Sequence, residues 1–155
     1  MSKSLKRVTR ALHEGGIDCA PVEVGQATTA AMAAELVGCA LDQIAKSIVF
    51  CGLSSGAAIL FITAGGNRVD SARASAFAGE ALAKADAALI RAQTGFAIGG
   101  VAPIGHLSPP RAFFDPRLLD FDRVWAAAGT PRHVFAIAPA DLLRLSGAAE
   151  AAFTA

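Results

Sequence analysis

The amino-acid sequence predicts an α+β fold. One domain over residues 1–155 is expected, with a mixed, mostly antiparallel sheet curled around a core and helices packed about it. Three observations lead there. Strand-like and helix-like stretches alternate irregularly, unlike the regular β-α-β order of a parallel sheet. Two pairs of apolar runs are joined by short turn signals, Ser54-Ser55-Gly56 and Gly129-Thr130-Pro131, and read as hairpins. No Gly-x-Gly-x-x-Gly opens a helix, so a doubly wound dinucleotide-binding architecture is not indicated.

The elements follow in order. Residues 3–14 form an amphipathic helix, with Leu5, Val8 and Leu12 on one face and Lys3, Lys6, Arg7 and Arg10 on the other. That basic stripe is either a solvated face or a phosphate contact. Ile17 to Val24 alternates as a strand, and Thr28-Thr29 caps a helix from Ala30 to Val37 that Gly38 closes. A helical turn near Leu41 to Ala45 leads into the hairpin strands Lys46–Leu53 and Ala57–Thr63. Their continuous apolar character predicts burial on both faces. Asp70 or Ser71 caps a helix through Ala78, a short strand falls near Ala81–Ala85, and Asp86 caps a helix through Thr94. Arg111 to Asp115 is a strand after the Pro109-Pro110 turn, and 123–128 with 133–138 make the second hairpin. Pro139 opens a last helix that Gly147 ends, and Ala148 to Ala155 reads as a frayed helix or a tail.

The stretch Gly95–His106 holds four glycines and one proline in twelve residues. Glycine permits positive φ and close approach to main-chain N–H groups, while Pro103 fixes its own φ and holds Ala102 extended. Such a loop either packs backbone on backbone or offers free N–H groups to a carbonyl or an anion. Lys46 stands at the mouth of an otherwise apolar strand. It either snorkels to water or points into a cleft and pairs with a phosphate or a carbonyl oxygen.

Gly99-Gly100-Val101-Ala102-Pro103-Ile104-Gly105 resembles the glycine-proline signature of the YbaK/ProX family, the free-standing relatives of the prolyl-tRNA synthetase editing domain. Asp42–Phe50 resembles that family's lysine-bearing strand, and Val124–Pro131 its C-terminal hairpin. The three segments stand in the family's order and at about its spacing, and the resemblance runs from about Leu5 to Leu145. It implies a barrel-like form for the curled sheet and an aminoacyl-tRNA editing activity. It implies that Lys46 is the essential active-site lysine, and that Gly99 and Gly100 cradle the scissile ester, with Gly100 as a catalytic main-chain donor. Pro103 and Gly105 would hold the loop's shape. Ser47 stands where alanine-editing relatives carry asparagine, and Thr130 lies in a segment that lines the family's acyl pocket. His106 either binds the terminal ribose or phosphate or sits exposed at the loop's end. Alanine-editing relatives also carry a functional histidine near the hairpin, to which neither His133 nor His13 aligns. The amino acid removed therefore stays open among alanine, serine, threonine, cysteine and small non-protein amino acids.

Composition narrows the classes. The net charge of +1 is too small for bulk electrostatic grip on nucleic acid, so any tRNA contact is local or shared with a synthetase. Cys19, Cys39 and Cys51 are odd in number and lack Cys-x-x-Cys spacing, which argues against a disulfide framework or a zinc site. There is no P-loop and no Gly-x-Ser-x-Gly elbow, and no metal or cofactor is called for. No apolar run reaches a membrane span, and a soluble, cytoplasmic monomer is expected. The function expected is trans-editing: hydrolysis of the ester of a mischarged tRNA carrying a small amino acid. The alternative is a non-catalytic module that binds aminoacyl-tRNA or a synthetase.

Overall fold

The computed structural model describes residues 2–155. Its centre is β3, Ala58–Ala64, whose seven residues are all buried. An unbroken apolar strand needs cover on both faces, and it receives it. Leu60, Ile62 and Ala64 face the main core with Leu5, Val8 and Leu12 of α1 (Lys3–Glu14). Ile59 and Phe61 face a second cluster with Ala74 and Ala78 of α3 (Ser71–Ala78). There Phe61 is ringed by aromatic neighbours: Phe113 stacks on it at 5.3 Å, while Phe153 and Phe50 meet it edge-on at 5.0 and 5.6 Å.

β2 (Ala45–Gly52) pairs antiparallel with β3 in the predicted hairpin, Lys46 opposite Thr63 and Ser47 opposite Ile62. β4 (Leu82–Lys84) adds to the far end of β2, β5 (Arg111–Phe114) runs parallel to β3, and β8 (Ala149–Glu150) runs parallel to β5. The five-stranded order is β4-β2-β3-β5-β8. A second sheet, in the order β1-β7-β6, contains the other hairpin, β6 (Val124–Ala127) and β7 (His133–Ile137), with β1 (Val22–Glu23) at its edge.

The barrel-like curled sheet expected from the sequence is not what forms. The strands make two open sheets, which touch at one isolated parallel bridge, Ile44 to Trp125. Beyond that bridge β2 and β6 diverge, and the space between them is a cavity rather than a ladder.

Two other expectations change. The strand over 17–24 shortens to Val22–Glu23, next to Pro21, which has no N–H to give a ladder. The alanine-rich end is neither frayed nor a tail. Phe153 is fully buried against Phe61, and the chain is tied at Asp70 N–H to Phe153 O (2.9 Å) and Ala155 N–H to Arg68 O (3.0 Å). One buried phenylalanine outweighs the local helical bias of five alanines, because its burial is worth about 1.5–3 kcal/mol. The helices otherwise start where their caps stand. Thr29, Asp70 and Asp86 accept hydrogen bonds from first-turn amides of α2 (Ala30–Val37), α3 and α4 (Ala87–Thr94), and Pro139 is the first residue of α5 (Pro139–Ser146). No helix among the described residues is long and apolar enough to cross a membrane.

Candidate active site

The cavity between the diverging strands has a volume of about 510 Å³. Its walls are Ala45–Phe50 of β2 and Trp125–Ala127 of β6, and Thr28–Ala30 at the start of α2, Ile98, Gly99 and Val101 of the glycine-proline loop, and Thr130-Pro131 of the hairpin turn complete it. Four of the seven predicted residues, Lys46, Ser47, Gly99 and Thr130, line it together; Gly100, Pro103 and His106 do not.

Strand alternation sets the lysine and the serine apart. Lys46 lies opposite Thr63, and its Nζ donates to the Gly65 carbonyl at 3.2 Å. Half-burial is the largest reason that its pKa falls below the ordinary lysine value; Arg68 adds to the drop, and Asp115 and Asp42 oppose it. Asp115 is buried and builds the lysine's seat. Its carboxylate accepts from Ala64 N–H (3.0 Å), Asn67 Nδ2 (2.9 Å) and Arg117 N–H (3.0 Å), which fixes the turn that carries Gly65. Ser47 faces the main core, and its hydroxyl is buried without a hydrogen-bond partner.

The glycine-proline loop is held from outside. Arg7 on α1 donates through Nη2 to Gly95 O (2.8 Å) and through Nε to Gly105 O (3.1 Å), and its guanidinium lies over the Phe96 ring at 4.9 Å. This takes Arg7 out of the basic stripe that the sequence offered to phosphate. Gly99 has φ +90°, a conformation that needs glycine, and it faces the cavity. Gly100 is different. Its N–H is donated to Ala97 O at 3.0 Å, so it is not available to a substrate carbonyl. The expected catalytic donor is thus spent on closing the turn. What Gly100 supplies is the absence of a side chain against Thr130. The N–H groups on either side, of Gly99 and Val101, have no hydrogen-bond partner among the described residues, and both residues line the cavity.

Pro103 is buried beneath the loop, a shape-holding place rather than a contact surface. His106 closes the loop on itself, with Nε2 2.6 Å from Ala102 O and its ring edge-on to Phe96 at 5.1 Å. It is neither exposed nor a lining residue. Nε2 carries the proton, since a carbonyl can only accept, and buried Nδ1 has no partner. Burial is the main cause of its lowered pKa, with Arg7 adding to it and the Ala102 hydrogen bond opposing it.

Thr130 Oγ1 lies 2.7 Å from His133 Nδ1 and accepts from Arg132 N–H at 3.1 Å. Thr130 and His133 thus share one hydrogen bond, whose direction follows the tautomer of the ring, and Nε2 lies 3.8 Å from Glu23. His133, read from sequence as the plain start of a strand, lines the cavity as part of this pair. Its spacing from Thr130 across a tight turn was the signal that could have linked them. Lys84 and Ile98 at the rim and Trp125 in the wall were also not singled out. The approach of Lys84 and Trp125 to β2 depends on pairings distant in sequence.

The chain is similar to known proteins over most of its length. Over nearly its whole length the chain is similar to a solved structure described as "a putative trans-editing enzyme for prolyl tRNA synthetase": 43% identity, TM-score 0.91, coverage 100% of this chain and 99% of that one. Hypothetical protein APE2540 shares the fold, with TM-score 0.87, 22% identity and coverage of 96% and 99%. Uncharacterized protein YwhH of Bacillus subtilis (strain 168) is 31% identical over 118 residues, 76% of this chain and 74% of its own length. The family model described as the aminoacyl-tRNA editing domain matches residues 24–145, from just after β1 through most of α5, a span that takes in both cavity-lining strands and the glycine-proline loop, and the chain belongs to that family.

Proposed function

We propose that the protein is a trans-editing deacylase that hydrolyses the ester joining a small, wrongly attached amino acid to the terminal ribose of a tRNA. The observation that carries this reading is the shared cavity of Lys46, Gly99, Val101 and Thr130. Its volume of about 510 Å³ exceeds a small acyl group alone and leaves room for part of the terminal nucleoside. The similar protein described as acting for prolyl-tRNA synthetase favours a tRNA charged by that synthetase.

The chemistry is modest. Lys46 Nζ exchanges its Gly65 carbonyl for an oxygen of the substrate and anchors it as a charge. The free N–H groups of Gly99 and Val101 polarise the ester carbonyl and receive the oxyanion when water adds to the carbonyl carbon. The carbon–oxygen bond to the ribose then breaks, the ribose oxygen takes up one proton of the water, the other passes to solvent, and the amino acid leaves as a carboxylate. Among the described residues the one imidazole in the lining, His133, is hydrogen-bonded to Thr130; the resemblance to the editing family assigns the work of the base to the substrate's neighbouring ribose hydroxyl. The alanine-rich walls are suited to selection by size, which excludes bulky groups more sharply than added contact rewards fitting ones.

The test is a panel of tRNAs mischarged with alanine, serine, threonine, cysteine and 2-aminobutyrate, with loss of the ester followed over time. Hydrolysis of at least one, lost in a folded Lys46→Met variant, supports the reading. Tight binding without hydrolysis of any would make the protein a binding module instead.

A further inference from the structure

The cavity has an electrostatic peculiarity. Its ionisable lining residues are Lys46, Lys84 and His133, and no Asp or Glu lines it among the described residues. The carboxylates nearby are committed elsewhere. Asp42 accepts from Gly66 N–H (2.8 Å) and Arg117 Nε (3.0 Å), and Asp115 holds the Gly65 turn. Glu23 faces His133 from outside. Asp86 caps α4 and lines an adjoining depression that shares Lys84, Ala85 and Ile98 with the cavity. A free aminoacyl ester carries an α-ammonium below about pH 7.7–8. Placing that cation against a wall that holds two lysines and no carboxylate is unfavourable.

The wall of β2 offers something else. Asp115 N–H bonds Ile62 O at 2.9 Å, so Ile62 turns its backbone groups toward β5, and its partner Ser47 turns its own to the opposite edge. Val49, two residues on, does the same. On that edge β4 begins pairing only at Phe50, and β6 has already diverged at Trp125. The N–H and C=O of Ser47 and the N–H of Val49 thus face the cavity as a short stretch of unpaired strand edge. Such an edge is completed by an extended amide, which brings one donor and one acceptor. An ammonium brings donors only.

Accepting the deacylase reading, we propose that the cavity takes the acyl group with its α-nitrogen uncharged, and therefore also hydrolyses N-acylated aminoacyl esters, whose amide pairs with the free edge of β2 at Ser47 and Val49. Water adds to the ester carbonyl, the bond to the ribose oxygen breaks, that oxygen takes one proton of the water, the other proton passes to solvent, and the N-acyl amino acid departs as a carboxylate. The amide itself is not cleaved.

The experiment takes the ester of the panel that is cleaved fastest and prepares it on the same tRNA with and without an N-acetyl group. Single-turnover rates, corrected for uncatalysed loss, are measured from pH 6.5 to 8.5. At pH 6.5 the free amine is about 90% or more protonated, so the N-acetyl ester should be cleaved roughly tenfold faster, and the gap should close as the amine deprotonates. An N-acetyl ester cleaved more than tenfold slower than the free one would overturn this inference and leave the deacylase reading standing. Failure to cleave either would overturn both. Amide hydrogen exchange gives a second readout. An amide-linked, non-hydrolysable N-acetylaminoacyl adenosine should slow exchange at Ser47 and Val49, and its free-amine counterpart should not. Binding of the acetylated analogue with unchanged exchange at both positions would also overturn the proposal.

Discussion

Gly100 lies flat against the backbone of Thr130. A Cβ at position 100 would stand 2.9 Å from Thr130 Cα and 3.0 Å from its carbonyl carbon. This contact joins the glycine-proline loop to the hairpin turn, and both line the same cavity through their neighbours. Gly100→Ala should therefore destabilise by about 1–3 kcal/mol, because backbone cannot yield as a flexible side chain can. Gly99 differs: no atom lies within 4 Å of its would-be Cβ, and only its φ of +90° restricts it. Asparagine tolerates the left-handed region better than alanine. Gly99→Asn should then recover part of the loss seen in Gly99→Ala, while Gly100→Asn should be as damaging as Gly100→Ala. Urea unfolding midpoints decide it, and equal losses for the two asparagine variants would refute the spacer role.

Lys46 should be costly to stability and necessary to activity. Lys46→Met removes the anchor, and a charged hydrogen bond of about 1.5–3 kcal/mol corresponds to roughly 10- to 150-fold in deacylation rate. Stability should move the other way. Half-burial lowers the pKa of Lys46 in the folded state, so the unfolded chain binds more protons between that lowered value and the ordinary one near 10.4. Over that window wild-type stability rises with pH, and at neutral pH the desolvation penalty is fully present. Lys46→Met should lack this rise and be at least as stable as wild type at pH 7. A variant clearly less stable at neutral pH would show that the lysine is a structural tie to Gly65.

Arg7 is a positioning residue for the loop. Its guanidinium reaches two carbonyls, Gly95 and Gly105, from one planar fork, which an ammonium cannot copy. Arg7→Lys should keep the charge of α1 yet lower kcat, with KM for the tRNA little changed, and Arg7→Met should do so more strongly. A rise in KM alone, equal for both variants, would mean that Arg7 contacts tRNA directly.

His106 predicts a pH effect of defined sign. Its folded pKa lies below the ordinary value near 6.5, mainly through burial. The unfolded chain therefore takes up the proton first as pH falls. The stability is fully present above about pH 6.5 and is lost progressively down to the folded pKa. The added proton would have to sit on Nδ1, which is buried without an acceptor. His106→Gln keeps a donor for Ala102 O but cannot titrate. Melting temperatures of the two proteins should diverge between pH 7.5 and 5, with the wild type falling faster. Parallel curves would exclude His106 as the titrating group.

Local chemistry made much of this protein legible in its sequence. Thr29, Asp70 and Asp86 cap helices because their side chains bond amides two or three residues away. The hairpin turns at 54–56 and 129–131 lie where their glycines stand, and the apolar run of β3 is buried as its pattern requires. Lys46, Ser47, Gly99 and Thr130 could be chosen as cavity residues because motif and residue type travel together in the family they resemble. Other features were decided only by contacts between segments far apart in the chain. The curled sheet opens because β2 and β6 meet at Ile44 and Trp125 and then separate, an event with no trace in either strand's pattern. The alanine-rich end becomes a strand because Phe153 finds the Phe61 cluster. Arg7 leaves the solvent face of its helix because Gly95 and Gly105, nearly a hundred residues later, present two carbonyls at one fork's spacing. The N–H of Gly100 is spent and those of Gly99 and Val101 are free because the loop turns at Ala97. Periodicity and capping report energies within a few residues; hydrogen-bond direction and the opening of a sheet depend on which distant surfaces come to lie together.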